Sequence, residues 1–220
     1  MNDIWDYFRS NQNEVLHWLW TTVWLSALPV VVGLAISLPI GWAASRYKWT
    51  YPPLVTIAGL LYTIPSIVLF LALPGILGTK ILAPINVAVA LTIYCIALLV
   101  RVVADGLSSV SETTLNAAAA MGYTGRQRLF SVQFPLAVPV IGAGLRVAAV
   151  SNVSLVAVAS TLGVTQAGSL FIAGYNATHN QTTPILLGLI LFVVLALLFD
   201  ALILLGLRVA TPWRRVELAR

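Results

Sequence analysis

The chain has 220 residues, of which 60% are hydrophobic and 9% charged, and its mean hydropathy is +0.95; that composition excludes an ordinary water-soluble domain. A net charge of +5 and a pI near 9.7 would suit a nucleic-acid binder, but in so apolar a chain the extra cations belong to loops flanking membrane spans, so no nucleic-acid partner is expected. The single cysteine, Cys95, lies inside an apolar run, which excludes a disulfide framework and a thiolate metal cluster.

In chain order, residues 1–18 read as an extracytoplasmic N-terminal segment. Asp3, Asp6, Arg9 and Glu14 interrupt any signal-peptide pattern, so the first membrane helix is expected to be retained. Crossing a bilayer takes about 20 mainly apolar residues, and five stretches meet that need, near 19–44, 53–77, 81–103, 135–160 and 184–208. The expected fold is therefore all-α: one transmembrane domain of five helices over 19–208, followed by a basic tail at 209–220.

The first span carries Gly33, Ser37 and Gly41 on one helical face, a ladder of small residues that suits close helix packing and carries no chemistry. In the second, Pro65 and Pro74 are each a place for a kink or an early, re-entrant end. Tyr62, Thr63 and Ser66 bracket Pro65, and Tyr94 lies in the third span.

Between the third and fourth spans, residues 110–134 form the one polar island. Ser109 and Glu112 have capping-box spacing, which predicts a helix starting near Val110 and running through the alanines 117–120. Gly122 supplies a left-handed end. Thr124 and Gln127 repeat the spacing and start a second helix, which Pro135 closes or hands on. On that helix Leu129, Phe130 and Val132 face protein or lipid, while Arg126 and Arg128 stay in water.

The fourth span holds Ser151, Asn152 and Ser154. Together with Tyr62, Thr63, Pro65, Ser66 and Tyr94 they outline an uncharged polar translocation path, suited to a zwitterion or a cation. Each residue alone is more often an interhelical hydrogen bond, and the path rests on their convergence. Arg146 lies 11 residues past Pro135 and Asp200 8 residues before Arg208, which puts them about 16 Å and about 12 Å along antiparallel helices. At similar depth they are expected to pair, within one subunit or across a dimer, as a clamp. The alternative has Arg146 snorkelling and Asp200 facing water. Residues 161–183 carry no formal charge, and Phe171, Tyr175, Asn176, His179 and Asn180 there suit a membrane interface or a docking surface.

Counting cations sets the orientation. With the N-terminus outside and the C-terminus in the cytoplasm, Arg46, Lys48, Arg101, Arg126, Arg128, Arg208, Arg214, Arg215 and Arg220 fall inside, leaving Arg9 and Lys80 outside. The polar island then faces the cytoplasm. No phosphate-cradling Gly-Lys-Ser/Thr loop, histidine cluster or nucleophile–base pair occurs in the sequence, so the chain is not expected to be an enzyme and binds no cofactor of its own.

The island resembles the EAA loop of bacterial ABC-importer permeases, whose pattern is Glu-Ala-Ala, three residues, Gly, nine residues, then Ile-x-Leu-Pro. Asn116-Ala117-Ala118 occupies the first slot, with asparagine where the family usually has glutamate. Gly122 follows at the family distance, and Val132 and Phe134-Pro135 fill the last slots. Tyr62-Thr63-Ile64-Pro65-Ser66, the Leu-Pro-Gly-Ile-Leu-Gly at 73–78, Met121-Gly122-Tyr123-Thr124 and Gln127-Arg128-Leu129-Phe130 are similar to the osmoprotectant branch, which carries glycine betaine, carnitine, choline or proline betaine. Residues 163–168 depart from that branch's Gly-rich stretch after the fourth span.

The resemblance implies a type I ABC-importer permease with a MetI-like fold in the bacterial cytoplasmic membrane. It implies a dimer with a second permease subunit, identical or not, two ATPase subunits holding ATP and Mg, and an extracytoplasmic substrate-binding protein. It also implies that Asn116, Ala117, Ala118, Gly122, Tyr123, Arg126 and Arg128 couple to the ATPase. Two alternatives stand beside it: a permease for another small solute such as methionine, and a self-contained secondary transporter.

Overall fold

In lipid a backbone must satisfy its own hydrogen bonds, and the apolar runs do so as helices. The computed structural model describes residues 2–47 and 49–213; Lys48 and the tail cations Arg214, Arg215 and Arg220 lie outside the described residues. A short α1 (Asn2–Ser10) precedes α2 (Gln12–Arg46), α3 (Tyr51–Thr63), α4 (Ser66–Leu77) and α5 (Pro84–Ser108). Two short helices follow, α6 (Glu112–Ala120) and α7 (Gly125–Arg128), then α8 (Phe134–Val158), α9 (Ser169–Asn176) and α10 (Thr182–Ala210).

α2, α5, the α7–α8 rod and α10 are each long and apolar enough to cross a membrane, and α3 with α4 makes a fifth span bent by 99°. The five stretches read from sequence thus coincide with helices. The first helix runs further than 19–44 at both ends, and the N-terminal segment is itself helical. Residues 161–183 also hold more structure than a loop, since α9 lies within them.

Pro65 causes the bend. A residue before proline is driven out of the α region, and Ile64 adopts ψ 126° with Pro65 at ψ 133°. The break frees the Ile64 carbonyl, which accepts a hydrogen bond from the Tyr94 hydroxyl. Pro74, by contrast, stays inside α4.

α5 is the central helix: 61% of its most apolar 18 residues are buried, against 22% for α10. α2 packs on it through the small-residue ladder. A Cβ at Gly33 would lie 2.6 Å from Cys95 Cβ, one at Gly41 would lie 2.7 Å from Val103 Cβ, and Ser37 between them is fully buried. The face therefore serves packing, because a side chain at either glycine would collide with α5.

At one end of the bundle the C-terminal parts of α2 and α5 pack on Leu129, Phe134 and the start of α8, and Leu207 of α10 lies against Gly142 of α8. Tyr51 donates to Asp105 at 2.5 Å there, and Gln133 Nε2 donates to the Leu107 carbonyl at 3.1 Å. The opposite end is nailed by buried polar groups. Thr22 Oγ1 accepts from the Ala167 N–H at 2.8 Å, and Gln166, fully buried, donates to the Val156 carbonyl at 3.1 Å and accepts from the Gly168 N–H at 2.6 Å. Asn86, also buried, donates to the Lys80 carbonyl at 2.8 Å and accepts from Thr79.

Candidate functional site

The polar island is a knuckle built from local rules. Its N-cap is Ser111, whose hydroxyl accepts from the Thr114 N–H at 3.3 Å. The predicted Ser109–Glu112 box does not form. α5 runs on to Ser108, Ser109 turns its hydroxyl back to the Gly106 carbonyl at 2.8 Å, and Val110 lies between helices.

At its other end α6 closes in a Schellman motif. Gly122 has φ +85°, its N–H donates to Ala119 at 3.0 Å, and the Tyr123 N–H donates to Ala118 at 3.1 Å. The second capping box is complete: the Thr124 N–H donates to Gln127 Oε1 at 2.9 Å, and the Gln127 N–H donates to Thr124 Oγ1 at 3.4 Å.

The expected second helix is not a separate element. α7 is four residues long and passes through a π-helical stretch, Leu129–Gln133, directly into α8. There the Phe134 N–H reaches back five residues to the Leu129 carbonyl. The widened turn eases the clash that Pro135 would otherwise make with the carbonyl four residues before it. Pro135 thus hands the helix on, and the knuckle ends in a rigid connection to a membrane span. On its surface Asn116, Ala117, Met121, Gly122, Tyr123 and Arg126 are exposed, Arg128 is half-buried, and Ala118 is buried. Exposed Met121 and Tyr123 beside the cations make a mixed apolar and basic face.

The expected polar path comes together only in part. Tyr62, Tyr94, Ser151 and Asn152 line one cleft with Cys95 and Ala148, and the Tyr62 and Tyr94 rings meet edge-to-face at 5.8 Å. Its water-accessible volume is about 10 Å³, room for one water and far too little for an organic solute. Thr63 is exposed and folds its hydroxyl onto the Leu60 carbonyl at 2.7 Å, Pro65 is exposed at the bend, and Ser66 is half-buried. Ser154 is exposed on another side of α8. Asn152 is spent on packing: its Nδ2 donates to the Ser26 carbonyl of α2 at 2.7 Å, a buried interhelical bond.

Arg146 and Asp200 meet within one chain. Arg146 Nε donates to Asp200 Oδ1 at 2.6 Å and its terminal nitrogen donates to Oδ2 at 2.8 Å, a two-pronged pair joining α8 to α10. The side chains are 37% and 28% exposed, so the pair sits at the edge of the protomer. Residues that sequence reasoning passed over are the buried anchors Thr22, Gln166 and Asn86, together with Ser111. Gln166 carried no sequence signal beyond being a polar residue in an uncharged loop.

The match to known proteins agrees with this architecture. Residues 33–205 match the family described as "Binding-protein-dependent transport system inner membrane component". The carnitine transport permease protein OpuCD of Listeria monocytogenes is 31% identical over 198 residues, covering 90% of this chain and 87% of that one. The osmoprotectant import permease protein OsmW of Salmonella typhimurium is 31% identical over 200 residues, covering 90% and 92%. Among solved structures, the MetNI methionine ABC transporter in an inward-facing conformation superposes with TM-score 0.79 at 22% identity, covering 91% of this chain and 97% of that one. At that identity the likeness carries the fold alone. The chain belongs to the binding-protein-dependent transport system inner membrane components: it is a multi-pass inner-membrane permease of an ABC importer, a family that is not itself catalytic.

Proposed function

We propose that the chain imports a small osmoprotectant of the betaine class, such as glycine betaine, carnitine, choline or proline betaine, powered by ATP and Mg held on separate ATPase subunits. The relatives named for carnitine and for osmoprotectants support the substrate class, and a relative from Bacillus subtilis is named for glycine betaine, carnitine and choline together. The carrying observation for the mechanism is the knuckle's rigid join to α8. A push on α7 reaches the span bearing Ser151, Asn152 and Arg146 through continuous helix, and α6 is held to α7 by the Gly122 turn and the Thr124–Gln127 capping box.

The ATPase docks on Asn116, Ala117, Gly122, Tyr123, Arg126 and Arg128, with Ala118 buried beneath that surface and Asn116 offering neutral hydrogen bonds where a glutamate would offer charge. Two permease copies, or one copy and a sibling, enclose the path. ATP-driven closure brings the knuckles together and turns the cavity outward, a rigid-body form of alternating access. A separate extracytoplasmic binding protein delivers the solute, holding a quaternary ammonium through aromatic faces. The knuckle end lies in the cytoplasm, with residues 1–18 outside and the 209–220 tail inside, as the flanking cations favour. The one-water cleft is this path in a closed state, and the Arg146–Asp200 pair clamps α8 to α10.

The test is uptake in cells lacking their own osmoprotectant importers and expressing this permease with its neighbouring genes. Accumulation of labelled betaine, carnitine or choline at high osmolarity is expected. Uptake of methionine with none of these would overturn the substrate reading in favour of another small solute.

A further inference from the structure

We infer that the groove between the end of α2 and the knuckle holds an acyl chain of an anionic phospholipid, with the phosphate on Arg126. The groove measures about 410 Å³, against about 10 Å³ for the polar cleft. Leu38, Pro39 and Trp42 of α2 form one wall, and Leu129, Phe130 and Phe134 form the other. Arg126 is its one charged lining residue. The Phe130 ring is 68% exposed and Trp42 is 37% exposed, an apolar surface with no occupant from this chain among the described residues.

Depth decides between occupants. Arg46 marks the end of α2, so at 1.5 Å per residue Trp42 lies about 6 Å and Leu38 about 12 Å deeper along the helix. The groove therefore starts at headgroup level, where tryptophan prefers to sit, and runs into the hydrocarbon layer. A soluble ATPase reaches the Arg126 rim but not the Leu38 floor. An acyl chain reaches both. The charge points the same way: Arg126 is exposed and pairs with no carboxylate among the described residues, so a phosphate supplies the missing anion. The assignment needs the chain to be embedded in a membrane; it does not rest on the substrate or on which side the knuckle faces.

The test is native mass spectrometry of the full-length chain in detergent, given equal amounts of a phosphatidylglycerol and a phosphatidylcholine with the same acyl chains. Wild type should retain the phosphatidylglycerol preferentially, by about five- to tenfold for one cation near the headgroup. Arg126→Gln should abolish the preference, and Arg126→Lys should keep most of it. Phe130→Ala should lower retention of both lipids while leaving their ratio unchanged, separating the chain site from the headgroup site. Equal retention of the two lipids by wild type, or an unchanged ratio in Arg126→Gln, would overturn the inference. Displacement of the bound lipid from the wild-type groove by the ATPase subunit would give the groove to the ATPase instead. A fall in dimer fraction for Phe130→Ala with no bound lipid in wild type would give it to a second copy.

Discussion

Gly122 sits at φ +85°, and a Cβ built on it meets nothing within 4 Å. Any penalty for a side chain there is backbone strain alone, about 1–2 kcal/mol for a residue that avoids the left-handed region. Gly122→Val should therefore insert and fold yet lose most transport, because the strain falls on the turn that orients α6 against α7. Gly122→Asn should retain far more, since asparagine tolerates that region. Uptake normalised to membrane protein checks this; equal, normal uptake by both variants would mean the turn does not couple. Arg146 and Asp200 supply a second test at this scale. Each single change to leucine strips the other charge of a two-pronged partner, so each should lower thermal stability in detergent, and the double variant should recover much of the loss. Simply additive effects in that double-mutant cycle would show that the pair is no clamp.

Among the elements, the broken α3–α4 span depends on a tertiary hydrogen bond. Tyr94→Phe leaves the Ile64 carbonyl without its hydroxyl partner, which should cost about 1–3 kcal/mol and lower Tm; an unchanged Tm would mean that water or lipid substitutes freely. The α2–α5 seam offers a contrast between two glycines. Gly41→Leu must collide with Val103, whereas Gly59 has open space around its Cβ position. Gly41→Leu should sharply reduce folded yield, read by size-exclusion chromatography, and Gly59→Leu should not. These elements also show where sequence reasoning reaches and where it stops. The Thr124–Gln127 box and the Gly122 turn were legible because each is closed by neighbours within a few residues. Ser109 and Ser111 both have cap chemistry, and the choice between them turns on where α5 stops. Pro65 and Pro74 look alike in sequence; the break falls at Pro65, where Tyr94, 30 residues away, takes the freed carbonyl. Ser151, Asn152 and Ser154 are close in sequence, yet Ser151 and Asn152 line the cleft while Ser154 points away. Which side of α8 meets its neighbours is set by the bundle and is not written in that segment.

For the molecule as a whole, the proposed topology puts the knuckle and the α9 end on opposite sides of the membrane. Cys95 is only 3% exposed, so it is a quiet background for introduced cysteines. Thr113→Cys should label from the cytoplasmic side and Tyr175→Cys, at an 81% exposed position, from the outside; labelling of both from one face would refute the arrangement. On the proposed mechanism this permease moves solute only when an ATPase drives its knuckles. The most direct test is betaine uptake into proteoliposomes holding the permease with its co-purified ATPase and binding protein, with and without enclosed or external Mg-ATP at the ATPase face. The expected result is uptake that requires ATP and collapses in Gly122→Val. Equal uptake without ATP, driven by an ion gradient across a permease that retains no ATPase, would contradict it.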